Sequence, residues 1–172
     1  MTENPGMEDA INYKPIDILL VEDDEMDIVV TLRAFAKGRI RNNLFVVRDR
    51  QAALDFVAGQ GQYQNKEKYP RPDMILLDIR MPMLSGFEVL KSLKADPRFD
   101  FIPVVMLTSS KNEEDVVKSY GAGAASYIPK PVSYEEFLKV VEGFNFYWQI
   151  INELPDSKDK SSERALRLSN WI

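Results

Sequence analysis

Side chains able to bind cations or carry a phosphoryl group follow closely on the apolar runs of this sequence. Glu22, Asp23 and Asp24 follow one run, Asp78 another, Thr108 and Ser109 a third, and Lys130 comes just after a fourth. Carboxylates brought close together repel unless protons or a cation intervene, and hard oxygen ligands with open water positions suit Mg²⁺. An ionised Asp is also a competent nucleophile toward an activated phosphoryl group, giving an aspartyl phosphate. Asp78 is the best placed for that role. Lys130 would supply a point positive charge and Thr108 a hydroxyl donor to the same group, while Glu22 and Asp23 hold the ion. A lone Asp at a strand end more often caps the next turn or helix. For the whole set that reading is weak.

Two absences narrow the chemistry, since the chain has neither cysteine nor histidine. Disulfides, thiolate nucleophiles, zinc fingers and every Ser/His or Cys/His arrangement are excluded. A phosphohistidine, if one takes part, must sit on another protein.

The elements that would position these groups are short, nearly continuous apolar runs: Ile16 to Val21, Leu44 to Val47, Met74 to Leu77, Ile102 to Leu107 and Ala125 to Ile128. Runs apolar at successive positions are what strands need when helices cover both faces of a parallel sheet. Helical spacing fills the gaps, with Met26, Val29, Val30, Leu32 and Phe35, then Ala53, Leu54 and Val57, then Phe87, Leu90, Leu93 and Lys94. Asn112 with Asp115 and Ser133 with Glu136 mark helix starts, the second a full capping box. The predicted class is α/β and doubly wound. In such a sheet functional groups collect at the carboxyl ends of the strands, near the point where strand order reverses.

Residues 1–15 read as a flexible lead-in, and 59–72, with two Gly and two Pro, as a long loop. The last helix keeps an apolar stripe from Phe137 through Val140, Val141, Phe144, Trp148 and Ile151, widened by Phe146, Tyr147 and Ile150. It is expected to extend beyond the sheet, closing a domain over 16–152 and leaving 153–172 as a tail. No internal repeat is evident. An apolar share of 45% against 28% charged residues is that of a globular protein. A net charge of −5 gives no footprint for DNA or RNA, so nucleic acid is not expected as a partner. No apolar run is long enough to cross a bilayer and no signal-type stretch opens the chain, so a membrane is not expected either and the cytoplasm is the expected location.

Across roughly Ile16 to Gly143 the sequence resembles the receiver family of two-component signalling. The stretches that carry the resemblance are Ile-Leu-Leu-Val-Glu-Asp-Asp at 18–24, Leu-Leu-Asp-Ile-Arg-Met-Pro at 76–82 with Gly86 following, Met-Leu-Thr-Ser at 106–109, and Tyr-Ile-Pro-Lys-Pro at 127–131. Four such stretches in order at predicted strand ends are specific together, although each alone is weak. The resemblance implies a five-stranded parallel sheet in the flavodoxin-like order 2-1-3-4-5. It makes Asp78 the phosphoacceptor, with Thr108 and Lys130 completing the site. It makes Glu22, Asp23, Asp78 and the backbone carbonyl of Arg80 the Mg²⁺ ligands. Tyr127 matches the aromatic switch position of the family, and a half-buried tyrosine at a strand edge is the plainer alternative. Lys130-Pro131 matches a family cis peptide, against the general trans preference of X-Pro bonds. Ser85 stands where the family often has Asp, and Arg50 where a turn Gly is common; both are expected to affect geometry more than chemistry. The sign of the effect of the Arg80 side chain stays open.

These readings imply a single-domain response regulator that takes its phosphoryl group from a partner histidine kinase and signals through protein contacts. It would catalyse only its own phosphorylation and dephosphorylation. A receiver-like interaction module that is never phosphorylated is the alternative, but its usual sign would be loss of Asp78, the acidic pair or Lys130. A haloacid-dehalogenase-type phosphatase would need a second Asp where Arg80 stands. The long loop and aromatic extension look like the regulators paired with phytochrome-type kinases. About thirty residues beyond the matched region are fewer than a self-supporting output domain needs. Their aromatic cluster predicts a homodimer, with folding back of Leu166, Leu168 and Trp171 onto the helix as the alternative.

Overall fold

A computed structural model describes residues 16–37, 42–81, 85–109, 118, 120–133, 135–137 and 139. The elements are β1 (Ile16–Val21), α1 (Glu25–Lys37), β2 (Asn42–Val47), α2 (Arg50–Ala58), a 3-10 turn (Gly61–Tyr63), β3 (Met74–Asp78), α3 (Gly86–Ala95), β4 (Val104–Thr108) and β5 (Ser126–Pro129). Five strands form one sheet in the order β2-β1-β3-β4-β5, and every pairing is parallel. The doubly wound order expected from the sequence is therefore present. Two compact units divide the chain, Met1–Phe137 and Leu138–Ile172. The lead-in, the helix expected from Asn112, the extension of the last helix and the tail lie outside the described residues.

Every residue of β3 and β4 is buried, as are the last four of β1. Such strands must be apolar at odd and even positions alike, which is why their sequences show runs and not alternation. On one face Leu19, Val21, Ile75, Leu77, Val104 and Met106 pack with Phe56 and Val57 of α2 and with Val89, Leu90 and Leu93 of α3. The intervening residues Ile18, Leu20, Leu76, Val105 and Leu107 are equally buried. Adjacent side chains on a strand point to opposite faces, so the second face is covered as well. Phe35 of α1 and Phe137, both buried, meet with ring centroids 4.2 Å apart.

Caps fix where each helix begins. Asp24 Oδ1 accepts from the amides of Met26 and Asp27 at 2.8 and 3.0 Å, Asp49 Oδ1 from Ala52 at 2.8 Å, and Ser85 Oγ from Phe87 at 3.2 Å. Each satisfies backbone donors that a first helical turn leaves open. Ser133 Oγ accepts from the amide of Glu136 at 3.2 Å, giving the hydroxyl half of the expected capping box.

The stretch 59–72 departs from a plain loop. After Gly59, left-handed at φ 64°, it forms the 3-10 turn, and the buried Tyr63 packs against Phe56 at 5.0 Å and Tyr69 at 5.2 Å. Phe45 lies 6.5 Å from Tyr69, so an aromatic cluster ties the segment to β2 and α2. Its Gly and Pro content is that of a loop, but its tyrosines have apolar surface to bury.

Candidate functional site

β1 and β3 are neighbours, while β2 lies on the far side of β1, so strand order reverses at the carboxyl ends of β1 and β3. Chains leaving adjacent strands to opposite sides open a crevice there. Glu22 follows β1 directly, held by its amide to the Val47 carbonyl at 3.0 Å. Asp78 ends β3 and stands beside Leu107 of β4, one residue before Thr108. Lys130 follows β5, and its amide donates to the Thr108 carbonyl at 2.7 Å. Parallel pairing thus delivers groups from four strands to one end of the sheet. The Lys130-Pro131 peptide is cis, as the resemblance implied.

Gly86 sets how closely α3 approaches this end. Its amide donates to the Ile79 carbonyl at 3.0 Å. A Cβ there would overlap the Asp78 carbonyl oxygen and lie 3.0 Å from the Asp78 carbonyl carbon. Any side chain at 86 would push the helix off the strand end that carries Asp78.

Glu22, Asp23 and Asp78 each offer a carboxylate oxygen, and these atoms lie within 4.8 Å of one another. Glu22 and Asp78 are 1% and 2% exposed. The Lys130 ammonium lies 2.6 Å from Glu22 Oε2, 2.8 Å from Asp27 Oδ2 and 3.0 Å from Asp78 Oδ1. Only the Asp27 oxygen receives a well-directed hydrogen bond from it; Glu22 Oε2 and Asp78 Oδ1 are buried without a hydrogen-bond partner. Two buried carboxylate oxygens that share one ammonium without a directed hydrogen bond, beside a third carboxylate, fit a hard divalent cation.

The electrostatics follow from crowding. Burial pushes the Glu22 carboxyl up and the Lys130 contact pulls it down, but the Asp78 charge raises it again, leaving it above its ordinary value. Burial alone would lower Lys130, yet contacts with Asp27, Glu22 and Asp78 outweigh it and hold the ammonium well above its ordinary range. Lys130 is therefore a fixed cation facing a surplus of negative charge.

Thr108 is buried at the end of β4, while the Arg80 side chain is exposed and lines the crevice. Of the two departures from the family pattern, Ser85 caps α3 and also lines the crevice, and Arg50 donates to Ser92 Oγ at 3.1 Å. Tyr127 is 38% exposed and meets Tyr120 edge-to-face at 6.2 Å. Asp24 belongs to the α1 cap and not to the metal-competent trio. Asp27 was not singled out by the sequence: its carboxylate meets a lysine 103 positions away, and only the assembled fold brings them together.

Comparison with known proteins agrees with this geometry. The response regulator receiver domain matches residues 18–142. Response regulator Rcp1 of Synechocystis sp. is 38% identical over 141 residues, covering 82% of this chain and 94% of its own. The Mn²⁺-bound structure of Rcp1 superposes with a TM-score of 0.61 at 39% identity, covering 78% of this chain and 94% of that one. The phosphorylated cyanobacterial phytochrome response regulator RcpA gives 0.64 at 35% identity, covering 83% and 100%. Among the described residues no helix is long and apolar enough to cross a membrane. With its sheet order, its strand-end carboxylates and a match reaching over most of its length, the chain belongs to the response regulator receiver domain family.

Proposed function

We propose that this receiver is a phosphoacceptor regulator in which Asp78 takes a phosphoryl group from the phosphohistidine of a partner kinase. The observation that carries the reading is the buried Asp78 carboxylate, with a lysine ammonium 3.0 Å away and two further carboxylates within reach of one ion. Asp78 attacks phosphorus as the bond to the donor nitrogen breaks, leaving an acyl phosphate on Asp78 and the histidine on the kinase. Glu22, Asp23, Asp78 and the Arg80 backbone carbonyl would hold Mg²⁺, whose charge offsets that of the phosphoryl oxygens. Lys130 and the Thr108 hydroxyl receive the same oxygens. Movement of Thr108 toward them vacates space for Tyr127, turning a local charge event into a changed surface.

Similar proteins support the reading: Rcp1 has been solved with Mn²⁺ and RcpA, a cyanobacterial phytochrome response regulator, in a phosphorylated form. A phytochrome-type histidine kinase is the proposed input, and protein contacts are the output. Incubation with Mg²⁺ and acetyl phosphate should add one phosphoryl group by intact mass. Asp23→Ala should weaken Mg²⁺ binding by about tenfold or more and slow labelling accordingly, since a charged ligand is lost. Absence of labelling in the wild type would refute the reading.

Assembly as a homodimer through Phe144, Phe146, Tyr147, Trp148, Ile150 and Ile151 belongs to the same proposal. It rests on their apolar character in the sequence. Closed two-fold pairing is the commonest way to bury such a patch. In sedimentation at micromolar concentration the full chain should be dimeric and a Trp148→Glu, Ile151→Glu variant a folded monomer. A monomeric wild type would overturn the assignment.

A further inference from the structure

The Lys130 ammonium has three protons and three carboxylates around it, but those carboxylates are not equivalent. Glu22 and Asp78 belong to the trio able to hold a cation; Asp27 does not. Asp27 lies in the first turn of α1 and lines the crevice, with its side chain 35% exposed. Its position is set locally, because the Asp24 cap receives its amide at 3.0 Å. Lys130 is set independently by its amide bond to Thr108. The two meet as fixed points, with the Nζ to Oδ2 hydrogen bond at 2.8 Å.

A cation held by Glu22, Asp23 and Asp78 draws the charge of those carboxylates away from the ammonium. Asp27 is then the carboxylate left to it among the three. A phosphoryl group on Asp78 brings further anionic oxygens to the place where the ammonium stands. Asp27 and those oxygens then share one ammonium, so the Asp27 charge weakens its pull on them, and that charge also repels an anionic donor entering the crevice.

We infer that Asp27 is a positioning residue that holds Lys130 in the unphosphorylated protein and competes with the phosphoryl group for it, so that its charge sets how readily Asp78 is phosphorylated. The inference rests on the phosphoacceptor reading above. Neutralising Asp27 should therefore favour phosphorylation, whereas loss of a merely structural contact would lower stability and leave the donor dependence unchanged.

The test measures labelling of the full chain against acetyl phosphate concentration, at Mg²⁺ concentrations saturating for each variant. Asp27→Asn and Asp27→Ala should both lower the half-saturating donor concentration by about 3- to 10-fold, the scale of one partly desolvated charge pair, with the plateau rate within about twofold. Asp27→Glu, which keeps the charge, should return to within about twofold of wild type. An unchanged or raised half-saturation in the neutral variants overturns the inference, as does a Glu variant that shifts with them. A wild type that takes no phosphoryl group refutes the phosphoacceptor reading itself, and the role of Asp27 falls with it.

Discussion

Asp78→Asn is expected to take up no phosphoryl group from acetyl phosphate and Mg²⁺ under conditions that label the wild type. The loss should be on the order of 10⁴-fold or more, the scale on which removal of a nucleophile shows. The amide is nearly isosteric with the carboxylate but has no anionic oxygen to attack phosphorus. The substitution should leave the fold intact. Asp78 is one source of the repulsion that raises the Glu22 carboxyl, so neutralising it relieves charge crowding and does not bury a new charge. It also removes one of the three carboxylates able to surround an ion, so Mg²⁺ affinity should fall by about tenfold or more. Intact mass reads the first effect, and a metal titration followed by Trp or Tyr fluorescence reads the second. Label on the Asn variant at the wild-type rate would move the acceptor elsewhere, and peptide mapping would then identify it.

The sheet was legible in the sequence because its central strands are buried on both faces and so must be apolar throughout. Its edges were less so. β2 starts at Asn42 and not at Leu44, because Ile16 pairs with Asn42 and Asp17 with Asn43, and the Asn43 amide reaches Asp17 Oδ1 at 2.8 Å. Polar residues on an edge strand can extend a ladder without adding to an apolar run. Ile102 shows the opposite case: it is buried and apolar but closes a turn through its amide to the Phe99 carbonyl, and β4 begins only after Pro103. Burial and strand are separate properties, and an apolar run reports the first.

The site divides along similar lines. Glu22, Asp23, Asp78, Thr108 and Lys130 could be listed together because each lies at or just after the carboxyl end of a strand and all strands run the same way. The choice of Asp23 over Asp24 for the acidic pair rested on the resemblance, since the two are chemically alike and differ in which way the turn into α1 faces them; Asp24 caps α1, and Asp23 joins the trio that could hold an ion. The partner of Lys130 on α1 was illegible for a simpler reason, because no spacing rule joins residue 27 to residue 130.

Lys130→Met tests whether that lysine serves as the counterion of the buried carboxylates. Methionine keeps much of the unbranched stem and removes the charge, so the loss reports electrostatics more than packing. Glu22 and Asp78 would remain at 1% and 2% exposure with no cation beside them. Breaking a buried pair from one side costs about 3–5 kcal/mol, because the remaining charge is left unpaired. For a chain of this size that is roughly a 6–20 °C fall in Tm in the presence of a chelator. The sign with pH follows from Glu22, whose folded pKa is already raised above its ordinary value. A raised carboxyl pKa means that the folded state holds the proton more tightly than the unfolded one, so stability is lost as pH rises through the interval between the two. Removing Lys130 removes a lowering contact and extends that interval upward. As pH falls from neutrality into the acidic range the variant should therefore regain Tm relative to wild type. Mg²⁺ should act in the same direction, since ammonium and metal both offset the charge of Glu22 and Asp78: ligand at about 100 times its Kd adds about 2.7 kcal/mol, and the variant should gain more Tm than wild type at equal Mg²⁺. Thermal denaturation of both proteins at two pH values, with Mg²⁺ and with chelator, separates these effects. A variant within about 2 °C of wild type in chelator, with the same gain from Mg²⁺, would show that Lys130 is not the counterion of Glu22 and Asp78.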